Sequence, residues 1–372
     1  MLTVPRMRHT DRASRQTASE PTTPSADVHE PVRAFLAEHG GGTPNDYSES
    51  RGQSTTKLLT AAARRRKLGV SKVHRNHHVI TGGGRVVGGF VGHLTSLASD
   101  EADRAALSIP RVRGLLDRAG IPIPEGRSFA PEERDAGAAW FSELGALTVV
   151  KPAFSQAGAG ISRNVGDAAA FDAAWKAAVA HRGEVVGADP AVVVERQHSG
   201  VDLRVFVVGE ELVAATARVP LYRLGDGRRT VRELVSEAAQ HRDAHPRLGE
   251  HPHDALAHAQ QTGLSLDEVS EHNRPYLLGQ DVAAPAGGVT VDVTGVLGNA
   301  LQTLAVDAVW AVPGCKAASV DILAQGIDDA DDAVVLDVDT RAGISVHHFP
   351  WVGRRRHVAE AIIRQMVSVS RA

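Results

Sequence analysis

Three aspartates in the last fifth of the chain have the types and spacing of metal ligands. Alternation predicts a strand in which Leu336 and Val338 face the core, while Asp337 and Asp339 share the opposite face. Asp321 lies in an earlier short apolar run. If the two strands are neighbours, three carboxylates converge; they would repel each other unpaired, whereas hard cations such as Mg²⁺ take carboxylate oxygens as ligands. The pattern therefore predicts a Mg²⁺ site at Asp321, Asp337 and Asp339.

A lysine followed by a glycine-containing loop could hold phosphates. The apolar run 147–151 predicts a strand that ends at Lys151, and the loop 155–160 contains Gly158 and Gly160. A lysine supplies a point charge and a flexible loop supplies backbone N–H groups, both of which bind phosphate oxygens. Together with the acidic face, this segment indicates a Mg-nucleotide site.

The stretch 192–227 predicts a buried strand followed by a hairpin, because β-branched residues alternate with turn residues. Four charged residues interrupt this apolar stretch: Glu195, Asp202, Arg204 and Arg218. Buried charges must be paired or liganded, so these side chains are expected to line a cleft. The alternative is an edge hairpin with one solvated face.

Composition limits the classes of function. The chain has 372 residues and a formal net charge of −3, which favours neither nucleic acid nor membrane as a partner. Its single cysteine, Cys315, rules out an internal disulfide framework and a cysteine-cluster metal site, and fits a cytoplasmic protein. The mixture of strand and helix patterns predicts an α+β (mixed α/β) protein.

Several segments allow more than one interpretation. Residues 1–55 are poor in large apolar side chains, which predicts a disordered tail. The basic run 64–67 could bind an anion or could be a solvated helix face. The glycine-rich stretch 82–89 fits a turn and strand rather than a nucleotide fingerprint. The histidines between 228 and 285 could bind metal, but loop histidines are the favoured interpretation.

The motifs together resemble those of ATP-grasp ligases. The run 149–152 with its glycine loop looks like the phosphate-binding strand of that family, and 193–195 with 200–204 looks like its adenine hinge and ribose contact. The hairpin is followed by an arginine and by Gly-Asp-Gly at 225–227, as in the ATP-grasp module of cyanophycin synthetases and fused glutathione synthetases. The tail 336–362 is similar to their last strand and helix. The resemblance covers roughly residues 70–370.

The resemblance implies a fold and a reaction. Two α+β subdomains would clasp ATP behind a reduced N-terminal α/β domain, with expected boundaries at 1–55, 56–107, 108–198 and 199–372. The implied enzyme is a carboxylate–amine ligase that forms an amide through an acyl phosphate and releases ADP and phosphate. Its cofactors would be ATP and Mg²⁺ (or Mn²⁺), and its substrates amino acids or peptides, with a homo-oligomer left open.

The resemblance also implies roles for individual residues. Lys151 would contact the ATP phosphates, and Arg218 would neutralise the transferred phosphate. The adenine hinge and ribose side of the site would take the following residues: Glu195, Arg196, Gln197, His198, Asp202 and Arg204. Gly158 and Gly160 would belong to a mobile lid, and the three aspartates would bind Mg²⁺.

The chain departs from the family pattern at three places. Asp337 and Asp339 stand where the family has Glu-x-Asn. Ser108-Ile109 replaces an Asp-Lys pair, for which Arg111 or Arg113 could compensate. Residues 278–281 replace a basic-asparagine stretch, which predicts a different substrate. The second hypothesis is accordingly an ATP-grasp-derived protein that binds nucleotide without turnover and acts as a regulator or partner.

Overall fold

The computed structural model describes residues 29–47, 54–155, 158–181, 187–284 and 287–371. The helices are α1 Glu30–His39, α2 Thr55–Arg65, α3 Asp100–Ala106, α4 Ile109–Arg118, α5 Arg134–Leu144, α6 Ala168–Ala180, α7 Val231–Ala244, α8 Ala255–Gln261, α9 Asn299–Trp310, α10 Ser345–His348 and α11 Val358–Val369. The strands are β1 Gly69–His74, β2 His77–Gly82, β3 Arg85–Val91, β4 Leu94–Thr95, β5 Gly126–Phe129, β6 Thr148–Pro152, β7 Ser162–Val165, β8 Val192–Arg196, β9 Val201–Val208, β10 Glu211–Val219, β11 Tyr222–Leu224, β12 Pro275–Leu277, β13 Val289–Asp292, β14 Ala317–Ala324 and β15 Val334–Asp339.

A five-stranded antiparallel sheet in the order β13-β10-β9-β14-β15 forms the centre of the larger half of the structure. On its first face Leu203, Val205 and Val207 are buried with Leu301 of α9 in one hydrophobic core. The alternate residues of β9 lie on the second face, where Phe206 packs with α2 and α11. The N-terminal half of β9 carries charged side chains on this second face instead of apolar ones.

A smaller four-stranded sheet in the order β5-β8-β6-β7 lies in the segment 126–196. Its core joins Val150 and Val194 of the strands to Trp140 of α5 and to Phe171 and Trp175 of α6. Helix α6 begins at an N-cap, Asp167, whose carboxylate accepts the N–H of Ala170. Lys151 and Glu195 are thereby placed on adjacent strands, β6 and β8.

Helix α4 packs on the larger core, although the expected boundary at residue 108 assigned it to the small subdomain. Ser108 is its N-cap, as its sequence predicts. Val112 and Leu116 of this helix are buried with the residues of the large sheet. As a consequence α4 connects the two halves and carries Arg113 into the space between them.

The prediction that residues 1–55 form a disordered tail is wrong for residues 29–47 and 54–55. Helix α1 buries Val32, Phe35 and Leu36 in the larger core. Beyond it, the Tyr47 hydroxyl donates to the carbonyl of Pro350. A few well-spaced apolar side chains bury enough surface to hold the segment, which mean composition did not reveal. The rest of the predicted tail, 1–28 and 48–53, lies outside the described residues.

Another four-stranded antiparallel sheet, β1-β2-β3-β4, follows α2. Ile80 and Phe90 of this sheet are buried with Met366 and Ile362 of α11. The basic run 64–67, at the end of α2, leads directly into β1 and is exposed. Within the described residues no helix has the length and apolar character needed to cross a membrane.

Candidate active site

The acidic residues predicted to bind metal lie on neighbouring strands. Asp321 of β14 is directly opposite Asp337 of β15, and Ser319 is opposite Asp339. A one-residue bulge separates this register from the next pair, Ile322 with Val335. The three carboxylates therefore share one face of the sheet, as predicted.

The bulge overturns one detail of the sequence prediction. The predicted core residue Leu336 is only half-buried, whereas Val335 is fully buried. Strict alternation would have buried Leu336 and exposed Val335. The extra residue of the bulge reverses which face the side chains on its far side occupy. Val338 is buried, as predicted.

Two arginines bind Asp321. Arg204, opposite it on β9, donates from Nε and Nη2 to the two carboxylate oxygens at 2.8 Å each. Arg218 of β10 donates to Asp321 at 3.0 Å and from Nε to Asp202 at 2.8 Å. These positive charges hold the pKa of Asp321 well below its usual range despite burial. Four of the residues predicted for the site thus form one ion-pair network.

Asp337 and Asp339 have a different environment. Burial, and next the negative charges of Asp339 and Asp321, raise the pKa of Asp337 to about 7. Burial also raises the pKa of Asp339. The only hydrogen bonds that the described structure gives these carboxylates come from backbone N–H groups, of Val338 and Arg341. Two adjacent carboxylates that make no direct side-chain ion pair in the described structure form a donor set that suits a hard cation.

No group of three or more His, Cys, Asp or Glu side chains is arranged to hold a metal ion in the part of the chain that the structure describes. Both carboxylate oxygens of Asp321 accept hydrogen bonds from arginine. Asp337 and Asp339 fit a cation, and Asp321 fits only if its arginines move. The site for Mg²⁺ at all three aspartates stays a prediction.

Lys151 and Glu195 form a buried ion pair in the small sheet, with Nζ and Oε1 2.8 Å apart. Arg113 of α4 reaches the other carboxylate oxygen of Glu195 at 2.5 Å. Of the two arginines considered as replacements for the missing lysine, Arg113 is therefore the buried one, whereas Arg111 is exposed. Burial acts to raise the pKa of Glu195, but the positive charges of Lys151 and Arg113 lower it below its usual value. The Glu195 side chain thus binds two cations, and its place at the adenine hinge stays a prediction.

Lys151 also connects the small sheet to the acidic face. Burial, which is the largest effect, lowers the pKa of Lys151, while Glu195 and Asp337 both act to raise it. Lys151 acts in turn on Asp337, whose pKa it lowers. The lysine predicted to contact phosphates and a carboxylate predicted to bind metal are therefore close enough for their charges to interact.

The predicted hinge residues 196–198 have three different environments. Arg196 pairs with Glu125 at 2.9 Å. The Gln197 amide exchanges two hydrogen bonds of 2.6 Å with Asn164 of β7. The Nε2 atom of His198 is buried without a hydrogen-bond partner. Only His198 thus has a side-chain polar atom that an adenine ring could satisfy.

The predicted lid lies at the edge of the described residues. Residues 156–157 of the loop fall outside them. Gly158 and Gly160 have φ of +78° and +75°, a left-handed conformation that favours glycine. A Cβ at Gly160 would also lie 2.7 Å from the Cβ of His181. Glycine is therefore required at Gly160 by the turn itself.

Arg247, in the loop after α7, is a candidate site residue that the sequence did not reveal. His245 positions the loop: its Nδ1 accepts the N–H groups of Arg247 and Leu248 at 3.2 Å, and its Nε2 donates to the carbonyl of Phe349 at 3.1 Å. Burial, and then the positive charges of Arg204 and Arg218, lower the pKa of Arg247 to about 10. No hydrogen bond or ion pair to its guanidinium is found among the described residues. A half-buried cation beside two other cations is a candidate for anion binding.

The histidine-rich segment 228–285 has structural roles in this arrangement. His245 fixes the loop after α7, and His253 hydrogen-bonds the carbonyl of Leu278 at 2.7 Å. His347, outside the segment, is fully buried with neither ring nitrogen partnered, and it packs edge-on against Phe206. Burial, and then the charge of Arg204, lower the pKa of His347 to about 3. The imidazoles of His245 and His347 are therefore neutral at physiological pH.

Comparison with known proteins identifies the fold. A bifunctional glutathione synthetase from Pasteurella multocida superposes on 86% of this chain and 45% of its own, with a TM-score of 0.62 and 21% sequence identity. The chain has the ATP-grasp fold. The prediction of a mixed α/β protein with the ATP-grasp fold is confirmed.

Sequence comparison finds relatives of this ATP-grasp chain that are much longer than it is. A cyanophycin synthetase from Geminocystis herdmanii is 27% identical over 265 residues, which are 67% of this chain and 29% of the relative. The glutathione biosynthesis bifunctional protein GshAB of Enterococcus faecalis is 26% identical over 267 residues, 67% of this chain and 34% of the relative. The chain thus spans about a third of the length of these curated relatives. No protein-family model matches it.

Proposed function

We propose that the chain is an ATP-dependent carboxylate–amine ligase acting on amino-acid or peptide substrates. The observation that carries the proposal is the collection of cations and carboxylates from both sheets. Lys151 and Arg113 pair with Glu195 of the small sheet, and Lys151 is close enough to Asp337 of the large sheet for their charges to interact. The large sheet also carries the ion-pair network of Asp202, Arg204, Arg218 and Asp321. Cations and carboxylates gathered between two sheets are suited to phosphoryl transfer, which depends on positioning and on neutralisation of charge.

In the proposed reaction a substrate carboxylate oxygen attacks the γ-phosphorus of ATP, and ADP leaves. An amine then attacks the carbonyl carbon of the acyl phosphate, phosphate leaves, and the nitrogen loses a proton to give the amide. Lys151 would hold the phosphates with its ammonium group, and Arg218 would stabilise negative charge on the transferred phosphoryl group. Arg218 would then lose part of its contact with Asp202 and Asp321 and bind the phosphoryl group of the substrate instead.

Asp337 and Asp339 would hold Mg²⁺, or Mn²⁺ in its place, and Asp321 would join them if it left its arginines. When bound, the cation neutralises phosphate charge and polarises the phosphoryl group. The N–H of His198 or its lone pair would meet the adenine ring, with the backbone of residues 196–198 as the rest of the hinge.

The second candidate is a protein that binds ATP without turnover, as a regulator or partner. The observation in its favour is the double arginine contact of Asp321, which leaves two carboxylates for the cation. Two-ligand binding is weaker than three-ligand binding, so such a protein would bind nucleotide with little dependence on Mg²⁺.

One assay separates the two candidates. The purified chain is incubated with Mg-ATP and a panel of amino acids and dipeptides, and ADP, AMP and phosphate are resolved. ADP release that requires two substrates, and that Asp337→Ala abolishes, supports the ligase. AMP release rejects an acyl phosphate. ATP binding without turnover of any panel member, unchanged by chelation of Mg²⁺, supports the second candidate.

A further inference from the structure

Helix α2 and the sheet β1-β2-β3 that follows it carry charge of one sign that the proposed reaction does not use. Residues 54–99 contain eight Lys and Arg residues and no Asp or Glu, although the whole chain has a net charge of −3. The only carboxylate pairing of these eight cations in the described residues is that of Arg65 with Glu360, at 2.9 Å. The others are exposed. So dense a charge of one sign, without internal partners, attracts an anionic ligand.

The outer face of this sheet carries exposed apolar side chains. Ile80 and Phe90 face the core. Alternation from Phe90 places Val91 on the other side, and a bulge between the pairs Ile80–Gly88 and Thr81–Val86 places Val86 there as well; they are 48% and 65% exposed. Val73, at the end of β1 near the turn, is 57% exposed. Since single exposed valines are ordinary but three on one small sheet are a patch, this face indicates contact with another molecule.

The cations surround the apolar face at both ends. Arg75 lies in the turn between β1 and β2. Lys67 and Arg85 lie at the opposite end, because Gly69 pairs with Thr81 and Gly82 pairs with Arg85. A ligand that crosses the face from one end to the other would meet positive charge at each end and valine side chains between.

Strand β1 offers hydrogen-bonding groups as well. It is the edge of the sheet and pairs only with β2 within the described ranges. An edge strand presents unpaired N–H and C=O groups that can add a further strand. Its central residues are Ser71 and Lys72, and the Lys72 ammonium group would disfavour a basic added strand and attract an acidic one.

We propose that the outer face and free edge of β1-β2-β3 bind an acidic, partly apolar polypeptide segment in an extended conformation. The peptide would add a strand to β1, place alternate apolar side chains on the valines, and pair its carboxylates with Lys67, Arg75 and Arg85. This is a binding function separate from the proposed ligase reaction, and it does not depend on turnover.

The same observations disfavour other anionic partners. A single-stranded nucleic acid would be expected to stack its bases on exposed Phe, Tyr or Trp rings, but the one such residue of 54–99 is Phe90, which is buried. A two-fold dimer through this face would oppose the same cations to each other. The chain's own residues 1–28 contain four arginines against three acidic residues, so their charge is not complementary.

One end of the sheet lies close to the candidate active site. His93, in the turn between β3 and β4, hydrogen-bonds the hydroxyl of Thr55 at 2.9 Å, and a Cβ at Gly343 would lie 3.4 Å from the His93 ring. Gly343 belongs to the loop that follows Asp339. The free edge β1 is on the opposite side of the sheet from β4, so a peptide added to β1 would leave this end of the sheet uncovered.

The test is the binding of short fluorescent peptides to the full chain, measured by anisotropy at low and high salt. The probe alternates Glu and Val; its controls are a Lys-Val peptide, an N-methylated Glu-Val peptide that cannot add as a strand, and an RNA oligonucleotide of equal charge. We expect the Glu-Val peptide to bind, with affinity that falls as salt increases, and each control to bind at least about tenfold more weakly.

Variants locate the contact. The double charge reversal Arg75→Glu with Arg85→Glu should weaken the Glu-Val peptide at least about tenfold. The matched double reversal Arg118→Glu with Lys176→Glu, at exposed positions of α4 and α6, should change the Kd by less than about twofold. Circular dichroism verifies that both variants are folded.

Three results would overturn the proposal. The first is equal binding of the N-methylated peptide, which would exclude binding by addition of a strand to β1. The second is binding of RNA with no binding of the acidic peptide. The third is a concentration-dependent increase in mass that Arg75→Glu with Arg85→Glu abolishes while no peptide binds, which would assign the face to a second copy of the chain.

Discussion

Arg204 and Asp321 lie opposite each other on β9 and β14 and share two hydrogen bonds of 2.8 Å. The pairing divides the acidic face into two parts. Asp321 is paired with its arginines, whereas Asp337 and Asp339 have raised pKa values and accept hydrogen bonds only from backbone N–H groups of the described structure. The cation expected by the proposed function would relieve the repulsion between these two.

We predict that Asp337→Asn together with Asp339→Asn stabilises the metal-free protein and abolishes its activity. Above pH 7 the substitution removes two buried like charges, which should raise the free energy of unfolding by about 1–3 kcal/mol. It also removes the proposed cation ligands, so ADP release should fall at least about a hundredfold. Urea denaturation and the ADP assay measure the two effects.

The control for that pair is Asp329→Asn, because Asp329 is exposed in the turn between β14 and β15. It should change neither the stability nor the activity by a measurable amount. Retention of ADP release by the Asp337 and Asp339 double variant would exclude these residues as cation ligands.

Glu195→Gln is expected to destabilise the protein strongly. The substitution leaves Lys151 and Arg113 buried without a counter-charge, which costs about 3–5 kcal/mol when one partner of a buried pair is removed. Glu125→Gln breaks the half-exposed pair with Arg196 and should cost no more than about 1 kcal/mol. Equal costs in chemical denaturation would show that the buried pair has no special role in stability.

Three buried histidines should make the protein sensitive to acid. Burial lowers the pKa of His245 to about 4 and those of His347 and His348 to about 3. Their unfolded pKa is near 6.5, so between pH 6.5 and these values the unfolded chain binds more protons than the folded chain. Stability is therefore complete above pH 6.5 and decreases as the pH falls, by about 2 kcal/mol for each histidine at pH 5.

Denaturation between pH 8 and pH 4.5 measures this effect. His348→Gln should reduce the pH dependence by one proton, because glutamine can keep a hydrogen bond to the N–H of Ala359 but does not titrate. His77→Gln, at an exposed position of β2, is the control and should leave the slope unchanged. An unchanged slope in His348→Gln would rule out this histidine as a source of the acid sensitivity.

Part of the site was predictable because charges interrupt apolar strands. Asp202 and Arg204 alternate with Leu203 and Val205, so period two alone separates a charged from a buried face. The bulge before Asp337 was not predictable, because no local residue type requires it. The partners of Glu195 could not be predicted either. One of them, Arg113, lies on a helix about 80 residues earlier in the sequence, and only tertiary packing brings it to Glu195.

Helix α1 shows the limit of arguments from mean composition. We predict that Phe35→Ala lowers the free energy of unfolding by about 3–5 kcal/mol, since Phe35 is buried in the larger core. The neighbouring Glu38→Ala, at an exposed side chain, should cost less than about 0.5 kcal/mol. Urea denaturation compares them, and equal stabilities would mean that α1 does not belong to the folded core.

Arg247 is predicted to bind the anionic group of a substrate. Arg247→Ala should raise the KM for the carboxylate substrate at least about tenfold with a smaller change in kcat, because a positioned cation supplies binding before phosphoryl transfer. Without substrate the same variant should be more stable than the parent chain, since it removes a half-buried cation that lies beside Arg204 and Arg218. Arg232→Ala, which breaks an exposed pair with Asp267, should leave both KM and kcat unchanged. A lower stability of Arg247→Ala in the absence of substrate, with an unchanged KM, would instead show that the arginine only packs against its neighbours.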